Sequence, residues 1–313
     1  MSHDVVEALL DARLPGVHKG KVRSTYAIPG YPHLLLVLAT NRLSTHNVVH
    51  RSQVPQKGAV LTALTIFWFR ELFKQTPNHL VAAGREIYRY LPMSFRTAQG
   101  LEDLEYRAII VDKLDMISIE FVVRAYLTGS LYAAYTRGGD PYGLALPSGL
   151  VEMSPLPNGP LLTPTDKSET DDPLLTKDVL AEYPRESALA LQSFNRVQSF
   201  LLRRGWTLVD SKLEIGVRPD GTICVADEVF TPDSSRYALT ESIVEGRAPP
   251  WHDKQVFRDK AEQIWGSHHR APLQFPREVV NHGRDTYLAL LAALTGYNLL
   301  DWAADHRFDY HRS

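Results

Sequence analysis

The segment that decides the fold reads Gly205-Trp-Thr-Leu-Val-Asp-Ser-Lys-Leu-Glu-Ile-Gly216 and is followed by Arg218-Pro-Asp-Gly221. Its charged residues occur at every second position, so in a strand Asp210, Lys212 and Glu214 share one face. Three charges on one face of an otherwise apolar strand are costly to bury without partners, a metal ion or a polar ligand. The segment therefore predicts a β-strand that carries a functional site.

The Pro-Asp-Gly turn predicts that the chain returns as a second strand over residues 222–230. Pairing across this turn would place Glu214 opposite residue 225 or 226, beside Asp227. Carboxylate pairs suit Mg²⁺, which binds through one or two carboxylates, waters and substrate phosphates. The alternative is a solvent-exposed charged face on an edge strand, and the pattern alone favours neither interpretation.

The rest of the chain mixes strands and helices without regular alternation. Short apolar runs predict strands, and apolar residues at helical spacing predict helices. The predicted strands are Leu34–Leu38, Ala108–Val111 and Phe121–Val123, and the predicted helices are Leu61–Phe73, Ser187–Arg204, Asp253–Trp265 and Asp285–Leu294. A segment rich in Pro, Gly and Ser over Pro141–Pro164 predicts a long surface excursion. The sequence thus predicts an α+β fold rather than a doubly wound parallel sheet.

Composition excludes several classes of protein. The 313 residues contain 34 Lys and Arg against 36 Asp and Glu, a formal charge of −2, which argues against a protein that binds duplex DNA through phosphate neutralisation. The one cysteine, Cys224, excludes an intramolecular disulfide framework. No apolar run approaches the roughly 20 residues that span a bilayer, and the N-terminus lacks the pattern of a signal peptide. We therefore expect a soluble, cytoplasmic protein that binds neither nucleic acid nor membrane.

Basic and hydroxyl residues form four further candidate sites for phosphate. These are Lys19-Gly-Lys-Val-Arg23, Arg124 with Leu127-Thr-Gly-Ser130, Thr231-Pro-Asp-Ser-Ser-Arg236, and the helix start His252-Asp-Lys-Gln255 with Arg258. Glycine lets the backbone approach a ligand, and guanidinium, ammonium and hydroxyl groups donate to phosphate oxygens. Each cluster alone is equally compatible with a surface loop or a helix cap.

The order of these motifs is more specific than any one of them, and it resembles the SAICAR synthetase (phosphoribosylaminoimidazole-succinocarboxamide synthase) family. The motifs are Gly20-Lys-Val-Arg23, Ala39-Thr-Asn-Arg-Leu-Ser44, Val123-Arg-Ala-Tyr-Leu-Thr-Gly-Ser130, Asp210-Ser-Lys-Leu-Glu214, Asp227-Glu228, Thr231-Pro-Asp-Ser-Ser-Arg236 and Asp253-Lys-Gln-Val-Phe-Arg258. The resemblance runs from about Leu14 to Gly296.

The resemblance implies an ATP-dependent ligase that joins the carboxylate of CAIR, an azole ribonucleotide, to the amine of L-aspartate, giving SAICAR, ADP and phosphate through an acyl phosphate. It implies a two-lobed fold with ATP between a β-rich N-terminal lobe (residues 1–115) and a mixed α/β C-terminal lobe that holds the metal and substrate site (residues 116–250). Residues 251–313 would form a closing helical segment of the C-terminal lobe. The implied cofactors are ATP and Mg²⁺, and the partners are small-molecule substrates.

The resemblance also implies roles for individual residues. Lys212, Glu214, Asp227 and Arg236 would act in catalysis, with Glu214 and Asp227 holding the metal. The residues implied to bind ATP are Lys21, Arg23, Lys113, Met116, Glu120 and Lys167. Those implied to bind substrate are Ser44, Asn47, Arg124, Ser130, Asp210, Ser234 and Arg258. Arg124, Ser130 and the catalytic Arg236 would bind the substrate phosphate. Asp210 would bind the ribose hydroxyls, and the catalytic Lys212 the azole carboxylate.

One loop departs from the family pattern. The family usually has Asp at the positions of Asn41 and Asn47, and an aromatic or small residue at His46. Replacing Asp by Asn keeps the shape but removes a charge and exchanges one acceptor for a donor. Either the loop tolerates change, or the protein is a paralogue acting on a related azole or C-nucleoside carboxylate in secondary metabolism. Two further alternatives are an ATP-binding protein without ligase activity and a small-molecule kinase.

Overall fold

The computed structural model describes residues 4–167, 172–266 and 270–306, the last three of these by backbone alone. These residues divide into two compact units. Unit 1 comprises the described residues of Met1–Glu71, His79–Leu114 and Lys254–Ser313, and unit 2 comprises those of Leu72–Asn78 and Asp115–Asp253. Both units contain helices and sheets, so the predicted α+β class is confirmed.

Unit 1 is built on a five-stranded antiparallel sheet in the order β1-β2-β3-β7-β6, with β4 and β5 as a separate hairpin. Its strands are β1 (Gly16–Lys19), β2 (Arg23–Ile28), β3 (Tyr31–Ala39), β4 (Arg42–Thr45), β5 (Val48–Gln53), β6 (Leu80–Ala83) and β7 (Ala108–Asp112). Its helices are α1 (Val5–Asp11), α2 (Lys57–Phe67), α3 (Leu104–Arg107), α7 (Gln255–Trp265), α8 (Arg277–Thr295) and α9 (Leu299–His306).

The central strand of this sheet follows from its sequence. Leu34, Leu36 and Leu38 alternate along β3 and are buried on one face, where they pack in one core with Leu10 of α1 and Tyr26 of β2. The predicted strands Leu34–Leu38 and Ala108–Val111 are both found, as β3 and β7. The predicted helix Leu61–Phe73 begins earlier, at Lys57, and after Phe67 continues as one π-helical turn, Trp68–Leu72.

Residues 254–306 belong to unit 1, whereas the sequence analysis placed 251–313 with the C-terminal lobe. The chain after α7 runs along β5, where the Arg51 amide donates to the Leu273 carbonyl oxygen at 2.8 Å. The Phe275 amide donates to the Ser52 hydroxyl at 2.7 Å. These contacts join residues more than 220 positions apart, and local sequence patterns do not predict such distant contacts. Residues 307–313 lie outside the described part of the chain.

Unit 2 holds a seven-stranded sheet centred on one long strand, β12. Its main path is β10-β9-β12-β13, β11 pairs with β9, and both β14 and β8 pair with β12. Its strands are β8 (Asp115–Met116), β9 (Ile119–Arg124), β10 (Leu161–Leu162), β11 (Thr165–Asp166), β12 (Trp206–Val217), β13 (Ile223–Ala226) and β14 (Ser235–Leu239). Its helices are α4 (Gly129–Thr136), α5 (Thr176–Glu182) and α6 (Pro184–Leu202).

Helix α6 packs on this sheet with the face that its sequence predicts. Phe194, Val197 and Leu201 are fully buried, and Pro184 occupies the first helical turn, where its missing N–H costs nothing. The segment Pro141–Pro164 is largely irregular, as predicted, but it is not only a surface excursion. Tyr142 and Leu156 are buried in a core cluster with Leu127 and Leu131.

No helix within residues 4–167, 172–266 or 270–306 is long and apolar enough to cross a membrane.

Candidate active site

The charged face of β12 lies next to β13 in the predicted register. Glu214 pairs with Ala226, so Asp227 follows directly at the end of β13. The backbone of Asp227 is left-handed, with φ of 58°, and β13 ends at the preceding residue, Ala226. The negative charges of Glu214 and Asp227 both act on the ammonium group of Lys212, so the two carboxylates lie at one place in unit 2, as the sequence predicts.

Lys212 lies among carboxylates. Its Nζ donates to Oε1 of Glu120 on the adjacent strand β9 at 2.5 Å, and a second oxygen of Glu120 accepts from the Thr165 hydroxyl at 3.3 Å. Burial lowers the pKa of Lys212, but the negative charges of Glu120, Glu214 and Asp227 raise it by more, so the net shift is upward. Lys212 is therefore a permanent cation at neutral pH.

A second lysine completes the cluster. Lys167 donates from Nζ to Oε2 of Glu214 at 2.6 Å. The glutamate side chain is 15% exposed and the lysine 29%, so the pair can exchange partners with a ligand from solvent. We define Glu120, Lys167, Lys212, Glu214 and Asp227 as the carboxylate–lysine cluster of unit 2.

The donor set of this cluster fits Mg²⁺. Two acidic side chains, Glu214 and Asp227, match an ion that binds one or two carboxylates and fills its remaining positions with water and phosphate oxygens. Among the described residues there is no group of three or more His, Cys, Asp or Glu side chains that could form an all-protein cage. Such a cage would suit Ca²⁺ or Zn²⁺ better. The residues present therefore fit a nucleotide-associated metal ion.

Three charged residues form a row across neighbouring strands of the same sheet. Asp210 of β12 pairs with Arg124 of β9 on one side and with Arg236 of β14 on the other. Directly opposed residues of neighbouring strands project from the same face. Oδ2 of Asp210 accepts from Nη1 of Arg124 at 2.9 Å and also from Nη1 of Arg236. We call Arg124, Asp210 and Arg236 the arginine row.

Further contacts fix each guanidinium group. Arg124 donates from Nε to the Thr163 hydroxyl at 2.9 Å and from Nη2 to the Ser130 hydroxyl at 3.2 Å. Arg236 lies against Gly129, where a β-carbon would sit 2.7 Å from Nη2. The three residues implied to bind phosphate, Arg124, Ser130 and Arg236, are thus brought together in unit 2.

Ser234 shapes the turn before β14. Its hydroxyl accepts a hydrogen bond from the Thr231 amide at 3.2 Å, and its carbonyl oxygen accepts from the Lys212 amide at 2.8 Å. Ser234 therefore holds the end of this turn against β12, beside the charged residues. Met116 lies on β8, opposite Gly216 at the far end of β12.

Thr163 and Thr165 are site residues that the sequence motifs do not identify. Both are buried, and each contacts a charged residue of the site. A sequence signal for these residues exists in Leu162-Thr-Pro-Thr-Asp-Lys167. Residues 163, 165 and 167 occur at every second position, so in a strand their side chains lie on the same face.

The remaining implied residues lie in unit 1. Lys21 donates from Nζ to Oδ1 of Asn47 at 2.6 Å, at the tip of the β4–β5 hairpin. Ser44 on β4 is buried, and Arg23 begins β2. The Lys113 amide donates to the His33 carbonyl oxygen at 2.8 Å.

The hairpin tip packs against α7. His46 and Asn47 both have left-handed backbones, and Nε2 of His46 lies 3.1 Å from a carboxylate oxygen of Glu262. Burial and the charge of Arg270 lower the pKa of His46, while Glu262 raises it, and Arg258 is among the cations that lower it further. The net shift is downward, so His46 is a neutral imidazole at pH 7.

His50, on β5, is also neutral. Its Nδ1 accepts from the Leu273 amide at 3.2 Å, so in the neutral ring Nε2 carries the proton and donates to the Thr45 hydroxyl at 2.8 Å. Burial, together with the charges of His46 and Lys254, lowers its pKa to about 4.

Asn41 has a structural partner. Its side-chain Oδ1 accepts from the backbone amide of Gly58, in the first turn of α2, at 3.0 Å. The backbone amide of Asn41 donates to Oδ2 of Asp4 at 3.3 Å. Asp4 also forms a buried ion pair with Arg107. A β-carbon on Gly58 would sit 2.3 Å from the Ala39 carbonyl oxygen, so the close approach of α2 to β3 requires glycine. The Asn41 side chain thus anchors the start of α2.

Comparisons with known proteins agree with these motifs. The sequence profile of the SAICAR synthetase family matches residues 16–272. A phosphoribosylaminoimidazole-succinocarboxamide synthase from Mannheimia succiniciproducens is 36% identical over 298 residues, which cover 92% of this chain and all of the relative. The corresponding synthase from Saccharomyces cerevisiae is 33% identical and covers 93% of this chain.

Solved structures give the same result. The SAICAR synthase of Saccharomyces cerevisiae, determined in complex with SAICAR, superposes with a TM-score of 0.81 at 32% sequence identity, covering 92% of this chain and 97% of that protein. A type-2 SAICAR synthetase determined with ADP shares the fold, with a TM-score of 0.62 at 24% identity. The chain therefore belongs to the SAICAR synthetase family and is an enzyme of the carbon–nitrogen ligase type.

Proposed function

We propose that the protein joins the carboxylate of an azole ribonucleotide, CAIR, to the amine of L-aspartate, with conversion of ATP to ADP and phosphate, as in purine biosynthesis. The observation that carries this proposal is the pairing pattern around β12. It brings a carboxylate–lysine cluster and an arginine row together around one strand, from residues of the family motifs. The cytoplasmic location expected from the sequence is part of the same proposal.

The chemistry needs a carboxylate to be activated before an amine can attack it. A carboxylate oxygen attacks the γ-phosphorus of ATP, and ADP leaves. The amine nitrogen then attacks the acyl carbon, loses a proton and displaces phosphate. Such phosphoryl transfer depends on positioning and on neutralisation of oxygen charge more than on covalent help from the protein.

The residues of unit 2 supply these functions. Lys212, held by Glu120, presents a fixed ammonium to the azole carboxylate, and Lys167 reaches the phosphates. Mg²⁺ held by Glu214 and Asp227 would neutralise phosphoryl oxygens when bound. Lys167 is paired with Glu214, so a metal ion held by that glutamate would leave the lysine available to the nucleotide phosphates.

The other ATP-binding roles follow the family motifs. We assign Lys21 and Arg23 to the phosphates, and Lys113 and Met116 to the adenine. Glu120, assigned to ATP by the resemblance, is instead proposed as the partner that orients Lys212, because its carboxylate is already bound to that ammonium. Ser44, Asn47 and Arg258 stay assigned to substrate.

The hairpin tip favours a second candidate, the same ligase acting on a related azole or C-nucleoside carboxylate. Asn47, where the family usually has Asp, accepts from Lys21 without neutralising it. The net charge of the loop is therefore one unit more positive than in the usual family sequence. Asn41 does not add to this argument, because its side chain is bound to the start of α2.

An ADP-release assay tests the proposal. CAIR and related azole carboxylates are each supplied with ATP, with and without L-aspartate. The ligase requires both an azole carboxylate and the amine for multiple turnovers. ADP formation on an azole that never depends on the amine would indicate a kinase, and ATP binding without ADP formation on any azole would indicate a protein that has lost ligase activity. Preference for a carboxylate other than CAIR would identify the paralogue.

A further inference from the structure

We infer that Asp210 is a positioning residue that holds Arg124 and Arg236 together as a site for a phosphate monoester, the 5′-phosphate of the azole ribonucleotide. This inference rests on the proposed function and deepens it. It differs from the role that the family resemblance implies for Asp210, which is contact with the ribose hydroxyls.

The first support is the geometry of the row. Asp210 sits between two arginines that are its opposite neighbours on the two flanking strands. Both guanidinium groups donate to the same oxygen, Oδ2. Hydrogen bonds between ionised partners are about twice as strong as those between neutral ones. Oδ2 of Asp210 is therefore committed to orienting the two guanidinium groups.

The second support is the balance of charge. The three side chains are largely buried, with 7% exposure for Asp210, 8% for Arg124 and 16% for Arg236. Two cations this close repel each other unless an anion lies between them. One carboxylate holds them together but leaves the row with a net positive charge. A phosphate group, which is anionic and carries several terminal acceptor oxygens, complements such a site.

The third support is that neighbouring groups fix the arginines from other directions. Thr163 and Ser130 accept from Arg124, and the absence of a side chain at Gly129 leaves room for Arg236. Gly129 also begins α4, and the hydroxyl of the preceding Thr128 donates to Glu152 instead of capping this helix. Rigid donors converging on one place are what phosphate recognition requires.

The decisive experiment compares Asp210→Asn with the unaltered enzyme on two substrates, the azole ribonucleotide and the same compound without its 5′-phosphate. Asparagine keeps the shape but removes the charge that holds the arginines. We expect KM for the ribonucleotide to rise about 10-fold or more, with kcat at saturation within about two-fold. The dephosphorylated substrate should show kcat/KM within about two-fold of the unaltered enzyme, because it makes no use of the arginine row.

Equal losses with both substrates would overturn the inference. So would a loss that disappears when the substrate lacks its 2′-hydroxyl, since Asp210 would then contact the ribose. Thr163→Val is a milder variant, because it removes only the hydroxyl that accepts from Nε of Arg124. It should raise KM for the ribonucleotide by a smaller factor. This variant tests the same network if Asp210→Asn does not fold.

A binding measurement separates this inference from the proposed function. D-ribose 5-phosphate and D-ribose are titrated into the unaltered enzyme and into Asp210→Asn by calorimetry. The inference predicts that only the phosphorylated sugar binds, and that Asp210→Asn weakens its binding about 10-fold. This result would stand even if no azole carboxylate supported ADP release. An unchanged affinity for D-ribose 5-phosphate in the variant would refute the role of Asp210.

Discussion

A methyl group added at Gly129 tests the arginine row without replacing any charged residue. In Gly129→Ala, the β-carbon would sit 2.7 Å from Nη2 and 3.1 Å from Cζ of Arg236, so the guanidinium must move away. If the movement costs one charge-assisted hydrogen bond to phosphate, the loss is about 1.5–3 kcal/mol. That corresponds to a rise of about 10- to 150-fold in KM for the azole ribonucleotide.

The same substitution also strains the backbone, and this effect needs its own control. Gly129 has φ of 59°, where a residue with a side chain costs about 1–2 kcal/mol. Gly138, shortly after α4, has φ of 73°, and a β-carbon there would meet no atom within 4 Å. Gly138→Ala therefore carries a similar backbone cost without displacing Arg236.

Both variants should lower the melting temperature by similar amounts, but only Gly129→Ala should raise KM. The assay is ADP release over a range of ribonucleotide concentrations, paired with thermal unfolding of each variant. Equal KM values for the two variants would refute the reasoning. An equal rise in KM for the dephosphorylated substrate would do the same, because the displaced arginine would then not be acting on the phosphate.

Three further predictions probe the rest of the chain. Glu214→Ala and Asp227→Ala should each abolish turnover while leaving the far-UV circular dichroism spectrum intact, and full activity in either would contradict the metal assignment. Asn47→Asp supplies a carboxylate that pairs with Lys21, so KM for ATP should rise about two- to five-fold, as expected for an exposed ion pair; an unchanged KM would exclude Lys21 from phosphate binding. His50 has a folded pKa of about 4 against 6.5 in the unfolded chain, so as the pH falls the unfolded state binds its proton first and stability is lost between these values. The loss from His50 is about 3 kcal/mol in total, measured by urea unfolding at pH 7 and pH 4, and His50→Asn should lack this component.

Local patterns were sufficient to predict the β12–β13 hairpin. The alternation of charges in Asp210-Ser-Lys-Leu-Glu214 fixes the face, and the Pro-Asp-Gly turn fixes the register, because a slip of one residue would turn every side chain to the other face. The observed pairing of Glu214 with Ala226 confirms this prediction. Helix α6 was predictable for the same reason, since its apolar spacing and its flanking turns lie within one segment.

The features that the sequence did not predict depend on pairing between segments that are distant in the chain. Glu120 and Lys212 are far apart in the chain, and only the pairing of β9 with β12 makes Glu120 the partner of that lysine. The position of residues 254–306 in unit 1 depends on hydrogen bonds such as that between Arg51 and Leu273. No local composition or periodicity encodes which distant strand a segment will follow.

The ion pairs of the unit 2 site show how charges of both signs are balanced locally. Each cation of the unit 2 site that we describe is held by a carboxylate, as in the pairs of Lys167 with Glu214 and Lys212 with Glu120. A charge taken from water into a protein is costly unless it is paired, so this arrangement reduces the cost of holding these charges while substrates are absent. Under the proposed function, substrate phosphates and a metal ion would exchange partners within existing pairs instead of desolvating isolated charges. Within this site, balanced charge and strong local polarity are therefore consequences of one requirement, because anionic substrates need fixed cations and fixed cations need anions to hold them.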